Sequence, residues 1–140
     1  MEIIVVEKDI HLICKQASSF PEGIGAAFKE LEQLIGNTDS RTFYGLSRPE
    51  GSNGIVYKAA VAELYDGEAG KLQVESYVIK KGNYIGETIT NWRSDETTIG
   101  KAFQQLLHDN RIDFKDGICV ERYLNDKDVV CMVRLDPDKM

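Results

Sequence analysis

The pattern of apolar and polar positions along the chain repeats itself. Ile24 to Leu31 reads IGAAFKEL and Ile99 to Leu106 reads IGKAFQQL, identical at five of eight positions with an offset of 75. Both copies place apolar side chains at i, i+4 and i+7: Ile24, Phe28 and Leu31 in one, Ile99, Phe103 and Leu106 in the other. That spacing lays one buried stripe along a helix, so the pattern predicts two amphipathic helices.

The flanking elements repeat as well. Apolar stretches rich in β-branched and aromatic residues precede each helix, Ile3 to Cys14 and Leu72 to Ile89, and each predicts a strand. Behind the first helix Gly36-Asn37 is a stop signal, and Arg41 to Leu46 and Ile55 to Leu64 predict two strands joined through a turn region with Pro49, Gly51 and Gly54. Behind the second, Asp109-Asn110 closes the helix, and Ile118 to Leu124 and Val129 to Leu135 predict a hairpin over Asn125-Asp126-Lys127. Each half therefore reads β-α-β-β, over about 1–66 and 70–140, with DGEAG at Asp66 to Gly70 as a turn or short linker.

A half of this size buries little core alone, so the two are expected to make a single domain. The fold class expected is α+β: duplicated β-α-β-β units forming one antiparallel sheet, two helices on one face, and a ligand groove between the halves.

Composition narrows the function. The 140 residues carry 17 Lys+Arg against 23 Asp+Glu, a net charge of −6, with 42% hydrophobic and 29% charged residues. These are globular values. Phosphate neutralisation needs clustered basic residues, and the longest basic run is Lys80-Lys81, so no direct nucleic-acid binding is expected. The longest apolar run, Ile3 to Val6, falls far short of the roughly 20 residues of a membrane span, which predicts a cytoplasmic protein with no membrane contact. Cys14, Cys119 and Cys131 are an odd number with no close pair, pointing to buried free thiols rather than a disulfide or a zinc site. His11 and His108 are isolated, and no phosphate loop, nucleophile elbow or metalloprotease motif is present. Neither metal nor cofactor is expected.

One carboxylate stands out. Strand alternation sends Cys119, Glu121 and Tyr123 to one face, so Glu121 has a thiol and a phenol for neighbours, with Cys131 or Met132 across the hairpin according to register. A carboxylate on the inner face of a groove is desolvated, which raises its pKa unless a cation or hydrogen-bond donor offsets the cost. It favours a cationic ligand, to which aromatic faces add about 0.5 to 2 kcal/mol each. The offset of 75 maps Tyr44 to Cys119 and Tyr57 to Met132, putting Tyr44 on the Glu121 face. Trp92, the only tryptophan, follows the strand leading into the second helix, where it could close one end of the groove.

The two β-α-β-β halves, Asn91-Trp92 before the second helix, and above all DGICVERYLND from Asp116 to Asp126 resemble the GyrI-like effector-binding family. That family includes the drug-sensing domains of AraC-type and MerR-type transcription regulators and free-standing proteins. The resemblance implies that Glu121 lies at the bottom of an aromatic-lined pocket for hydrophobic cations, with Tyr44, Tyr57, Trp92, Tyr123 and Met132 as companions. In the regulators the module is joined to a helix-turn-helix domain, for which this sequence has no residues left over. The first expectation is therefore a stand-alone module that binds a small hydrophobic or cationic molecule and acts through a protein partner, rather than an enzyme. Two alternatives come with the family: a hydrolase of strained-ring genotoxic compounds with Glu121 as general base, and a protein-binding inhibitor of the gyrase-inhibitor kind.

Overall fold

The computed structural model describes residues 1–49 and 54–139. In chain order its elements are β1 (Glu2–Val6), β2 (Ile10–Gln16), α1 (Ile24–Ile35), β3 (Phe43–Pro49), β4 (Ile55–Ala62), α2 (Glu68–Leu72), β5 (Glu75–Ile79), β6 (Gly82–Ile89), α3 (Thr97–Leu106), β7 (Cys119–Tyr123) and β8 (Val129–Arg134). Every described strand pairing is antiparallel, and the class is α+β as expected. Gly51, part of the expected turn between β3 and β4, lies outside the described residues.

The chain divides into two compact units, Ile10–Ile79 and Met1–Asp9 with Lys80–Met140. Within the first the strands run β3-β4-β2-β5, and within the second β7-β8-β6-β1. Each unit thus sets a strand-helix-hairpin and one further edge strand in the same order. The edge strand of the second unit is β1, from the other end of the chain, with Ile3 opposite Ile85 and Ile4 opposite Tyr84.

This arrangement corrects two expectations. Ile3 to Cys14 is two strands, because the charged run Glu7-Lys8-Asp9 interrupts the apolar pattern and sends β1 to β6 but β2 to β4 and β5. Leu72 to Ile89 is likewise divided at Lys80-Lys81, where the Asp9 side chain accepts a hydrogen bond from the Lys81 amide at 2.9 Å.

DGEAG is the expected turn only at Asp66-Gly67, and from Glu68 onward it is the short helix α2. Gly67 supplies the left-handed backbone, φ 90°, from which α2 starts. Glu68 then turns inward to a buried bidentate pair with Arg41, at 2.9 and 2.7 Å. The same guanidinium donates to the Ala62 carbonyl at 2.7 Å, and the Leu64 amide donates to Glu68 Oε1 at 2.9 Å. The Arg41 guanidinium holds the Glu68 carboxyl below its usual pKa against the opposing effect of burial.

Both amphipathic stripes face the strands, with Leu31, Phe103 and Leu106 buried and Ile24, Phe28 and Ile99 half-buried at the margins. Leu31 and Ala27 of α1 pack on Ile13, Tyr57, Ala59 and Val61, and Leu106, Phe103 and Ala102 of α3 pack on Ile85, Val129, Cys131 and Val133. Full burial of each Leu or Val contributes about 1.5 to 3 kcal/mol. The first helix stops at Gly36, φ 75°, whose amide closes on the Glu32 carbonyl at 3.0 Å. The second starts after Asp95, whose carboxylate accepts from the Thr97 amide at 3.1 Å.

Candidate functional site

The helix-facing side of the second unit is fixed by its ladders. Glu121 of β7 sits directly opposite Cys131 of β8, and Cys131 directly opposite Glu87 of β6, so the three side chains form one row across three strands. Cys131 belongs to the core under α3, which places both carboxylates on the α3 side of the strands. Twice the strand spacing separates them, roughly 10 Å between Cα atoms.

No other charged residue of β1, β6, β7 or β8 points this way. Asn83, Ile85 and Ile89 of β6, Val129 and Val133 of β8, and Cys119 and Tyr123 of β7 share the face, whereas Arg122 and Arg134 alternate to the other. The face beneath α3 is therefore apolar with two acids set into it.

Glu121 is 7% exposed, and Tyr123 donates its hydroxyl hydrogen bond to Glu121 Oε1 at 2.5 Å. Such a bond offsets part of the desolvation of the carboxylate. The Tyr123 ring in turn meets Trp92, centroids 5.7 Å apart and tilted by 57°. Trp92 and Tyr123 are half-buried, and with Ile89 and Ile99 they rim the core under α3. The indole also meets the Arg93 guanidinium, 4.6 Å from the ring centroid.

The thiols on this face are buried. Burial, with the charge of Glu121 adding to it, pushes Cys119 up to about 11 and raises Cys131 further. Among the described residues no group of His, Cys, Asp and Glu could hold a metal ion. Among the described residues no helix is long and apolar enough to cross a membrane.

Of the residues singled out from sequence, the second unit brings together Glu121, Tyr123 and Trp92. Met132 pairs with Val120 and Gly86, so it points to the side of the second unit away from Glu121. In the first unit Tyr57 is in the core under α1, edge-on to Phe28 at 6.3 Å and 6.0 Å from Phe20. Tyr44 is buried on the face of its unit away from α1, since its ladder neighbour Phe43 pairs with Val61 of the α1 core. The helix offset does not carry through the strands: the burial patterns align Tyr57 with Val129, three positions before Met132. An odd change of offset sends a strand residue to the opposite face.

Glu87 was missed by sequence reasoning. Its signal was alternation, since Ile85, Glu87 and Ile89 share a face, but only the β6–β8 register puts it in line with Glu121.

No protein-family profile and no curated protein sequence matches the chain. Solved structures share its fold. SAV2435 bound to tetraphenylphosphonium aligns with TM-score 0.65 at 12% identity, covering 99% of this chain and 96% of that one. The EcmrR C-terminal domain aligns with TM-score 0.68 at 8% identity over 96% of each chain. A hydrolase encoded by lin2189 from Listeria innocua aligns with TM-score 0.63 at 11% identity, covering 96% of this chain and 91% of that one.

Proposed function

We propose that this chain is a small-molecule (effector) binding domain of the GyrI-like kind, and that it takes hydrophobic cations against the acidic, aromatic face beneath α3. The observation that carries the reading is Glu121, a buried carboxylate bonded to Tyr123 beside Trp92, on a face whose strands present acids and no base. A cation there gains from both carboxylates at reduced solvent screening, and its apolar body covers the partly exposed aromatic rim. A shared fold with a protein bound to tetraphenylphosphonium supports that choice of ligand class.

Titration with tetraphenylphosphonium tests it. Saturable change of Trp92 emission is expected, together with a rise in Tm, because a ligand at about 100 times its Kd stabilises the folded state by about 2.7 kcal/mol. A flat titration and an unmoved Tm would overturn the reading.

The fold shared with a hydrolase favours a second reading, in which Glu121 directs water at a strained-ring electrophile. Multiple turnover of such compounds, lost in Glu121→Gln and kept in a variant of the exposed Glu32, would put catalysis first.

A further inference from the structure

The turn between β7 and β8 is tied to the 3₁₀ turn Trp92–Ser94 and the Asn91 before it by several hydrogen bonds, in which Asn125 and Asp128 take part. Asn125 Oδ1 accepts from the amides of Lys127 at 2.7 Å and Asp128 at 2.9 Å, and Asn125 Nδ2 donates to Asp128 Oδ2 at 3.1 Å. The second Asp128 oxygen accepts from the Asn91 amide at 3.1 Å. With the turn so held, the Lys127 carbonyl accepts from the Trp92 amide at 2.9 Å and the Asp126 carbonyl from Arg93 Nε at 2.7 Å.

Closing the hairpin does not require all of this. The Leu124 amide already closes it on the Asp128 carbonyl at 3.0 Å, and the Asn125 carboxamide oxygen caps the turn. The bond from Asp128 to Asn91 reaches a different segment, and Asn91 adopts a left-handed backbone, φ 54°. Asn adopts that conformation more readily than other L residues do, and here its amide is held by the Asp128 carboxylate.

We propose that Asn125 and Asp128 are positioning residues for the binding site: through the backbone of residues 91–93 they hold the indole of Trp92 against Tyr123, without touching ligand themselves. The proposal rests on the reading of that face as a ligand site. It gives Asn125, within the ERYLND run, and Asp128, two residues beyond it, a role distinct from that of Glu121. The Asn125 amide and the Asn91 N–H also hold the Asp128 carboxyl below its usual pKa, as expected of a carboxylate engaged through both oxygens.

A reciprocal exchange tests the assignment. Asn125→Asp sets an acceptor against the Asp128 carboxylate, and Asp128→Asn leaves one acceptor oxygen for two donors, Asn125 Nδ2 and the Asn91 N–H, so each single variant breaks one bond of the connection. The double variant again faces one donor with one acceptor, and keeps acceptors for the amides of residues 91, 127 and 128.

Trp92 is the only tryptophan, so its near-ultraviolet circular dichroism and emission report the indole directly. Each single variant is expected to alter that signature and weaken tetraphenylphosphonium binding about fivefold or more, and the double variant to restore both to within about twofold. A single-variant loss of urea stability with the Trp92 signature unchanged, or a double variant that restores neither, would overturn it. The signature is read without ligand. Failure of the wild type to bind tetraphenylphosphonium therefore counts against the ligand site, while an unaltered signature counts against the positioning role.

Discussion

Tyr123 stands two residues after Glu121 on the same strand and donates its hydroxyl hydrogen bond to that carboxylate. The phenol therefore has two uses, a donor toward the acid and a ring toward Trp92, 5.7 Å away between centroids. A buried carboxylate and a half-buried aromatic rim are coupled by one side chain.

Tyr123→Phe separates those uses, because the ring stays and the donor goes. Hydrogen bonds to charged groups contribute about 1.5 to 3 kcal/mol, so the urea midpoint should fall by a corresponding amount while the Trp92 dichroism keeps its form. An unchanged midpoint would show that the bond adds nothing to stability.

Charge on the α3 side should set ligand preference. Glu121→Gln removes a charge with little volume, and it should weaken tetraphenylphosphonium binding about tenfold or more while a neutral tetraphenyl analogue is little affected. Glu87→Gln acts from a more exposed position, where solvent screens more of its charge, and should cost about threefold. Equal losses for charged and neutral probes in calorimetric titrations would show that the acids act through shape rather than charge.

Acid should weaken the pair in the first unit. Glu68 has a pKa held down by Arg41, so its stabilisation is complete above the unfolded carboxylate value and is lost as pH falls through the folded one. Glu68→Gln should be less stable at neutral pH and show a flatter decline toward acid, measured by urea unfolding across the acidic range. Arg41→Ala leaves a buried carboxylate without its cation and should cost about 3 to 5 kcal/mol.

The three thiols should be protected by the fold. Burial pushes Cys14 up to about 12 and Cys119 up to about 11, and raises Cys131 as well, so almost no thiolate exists near pH 8. A charged thiol reagent should label the native chain only at the rate of unfolding, and all three sites promptly in denaturant. Rapid labelling of one native thiol would identify an opening that the static packing does not show.

Local periodicity made the helices and the β7–β8 hairpin legible, because the stripe of Ile99, Phe103 and Leu106 and the turn at Asn125 are written in consecutive residues. The face shared by Cys119, Glu121 and Tyr123 was legible for the same reason. Pairings between distant strands were not. Nothing local says that β1 joins β6 or that Cys131, not Met132, lies opposite Glu121, and one residue of register decides which side chains meet. Tyr44 and Tyr57 were assigned by an offset measured on helices. A helix can slide along a sheet without changing its buried stripe, whereas a strand cannot. Glu68 was hidden in a stretch that looks like a linker, since its reason for burial, Arg41, is 27 residues away.

The placement of β1 beside β6 also sets an order of events during synthesis. The unit Ile10–Ile79 is continuous, so all its ladders can close before residue 80 leaves the ribosome. β1 is made earlier than every strand it belongs with, and it carries the apolar run Ile3 to Val6 without a partner until β6 has been made. Closing that long loop is slow compared with local pairing. The nascent chain thus carries an unpaired apolar strand until β6 has been made, and deleting β1 would bare the edge of β6 while leaving the described ladders of the continuous unit intact.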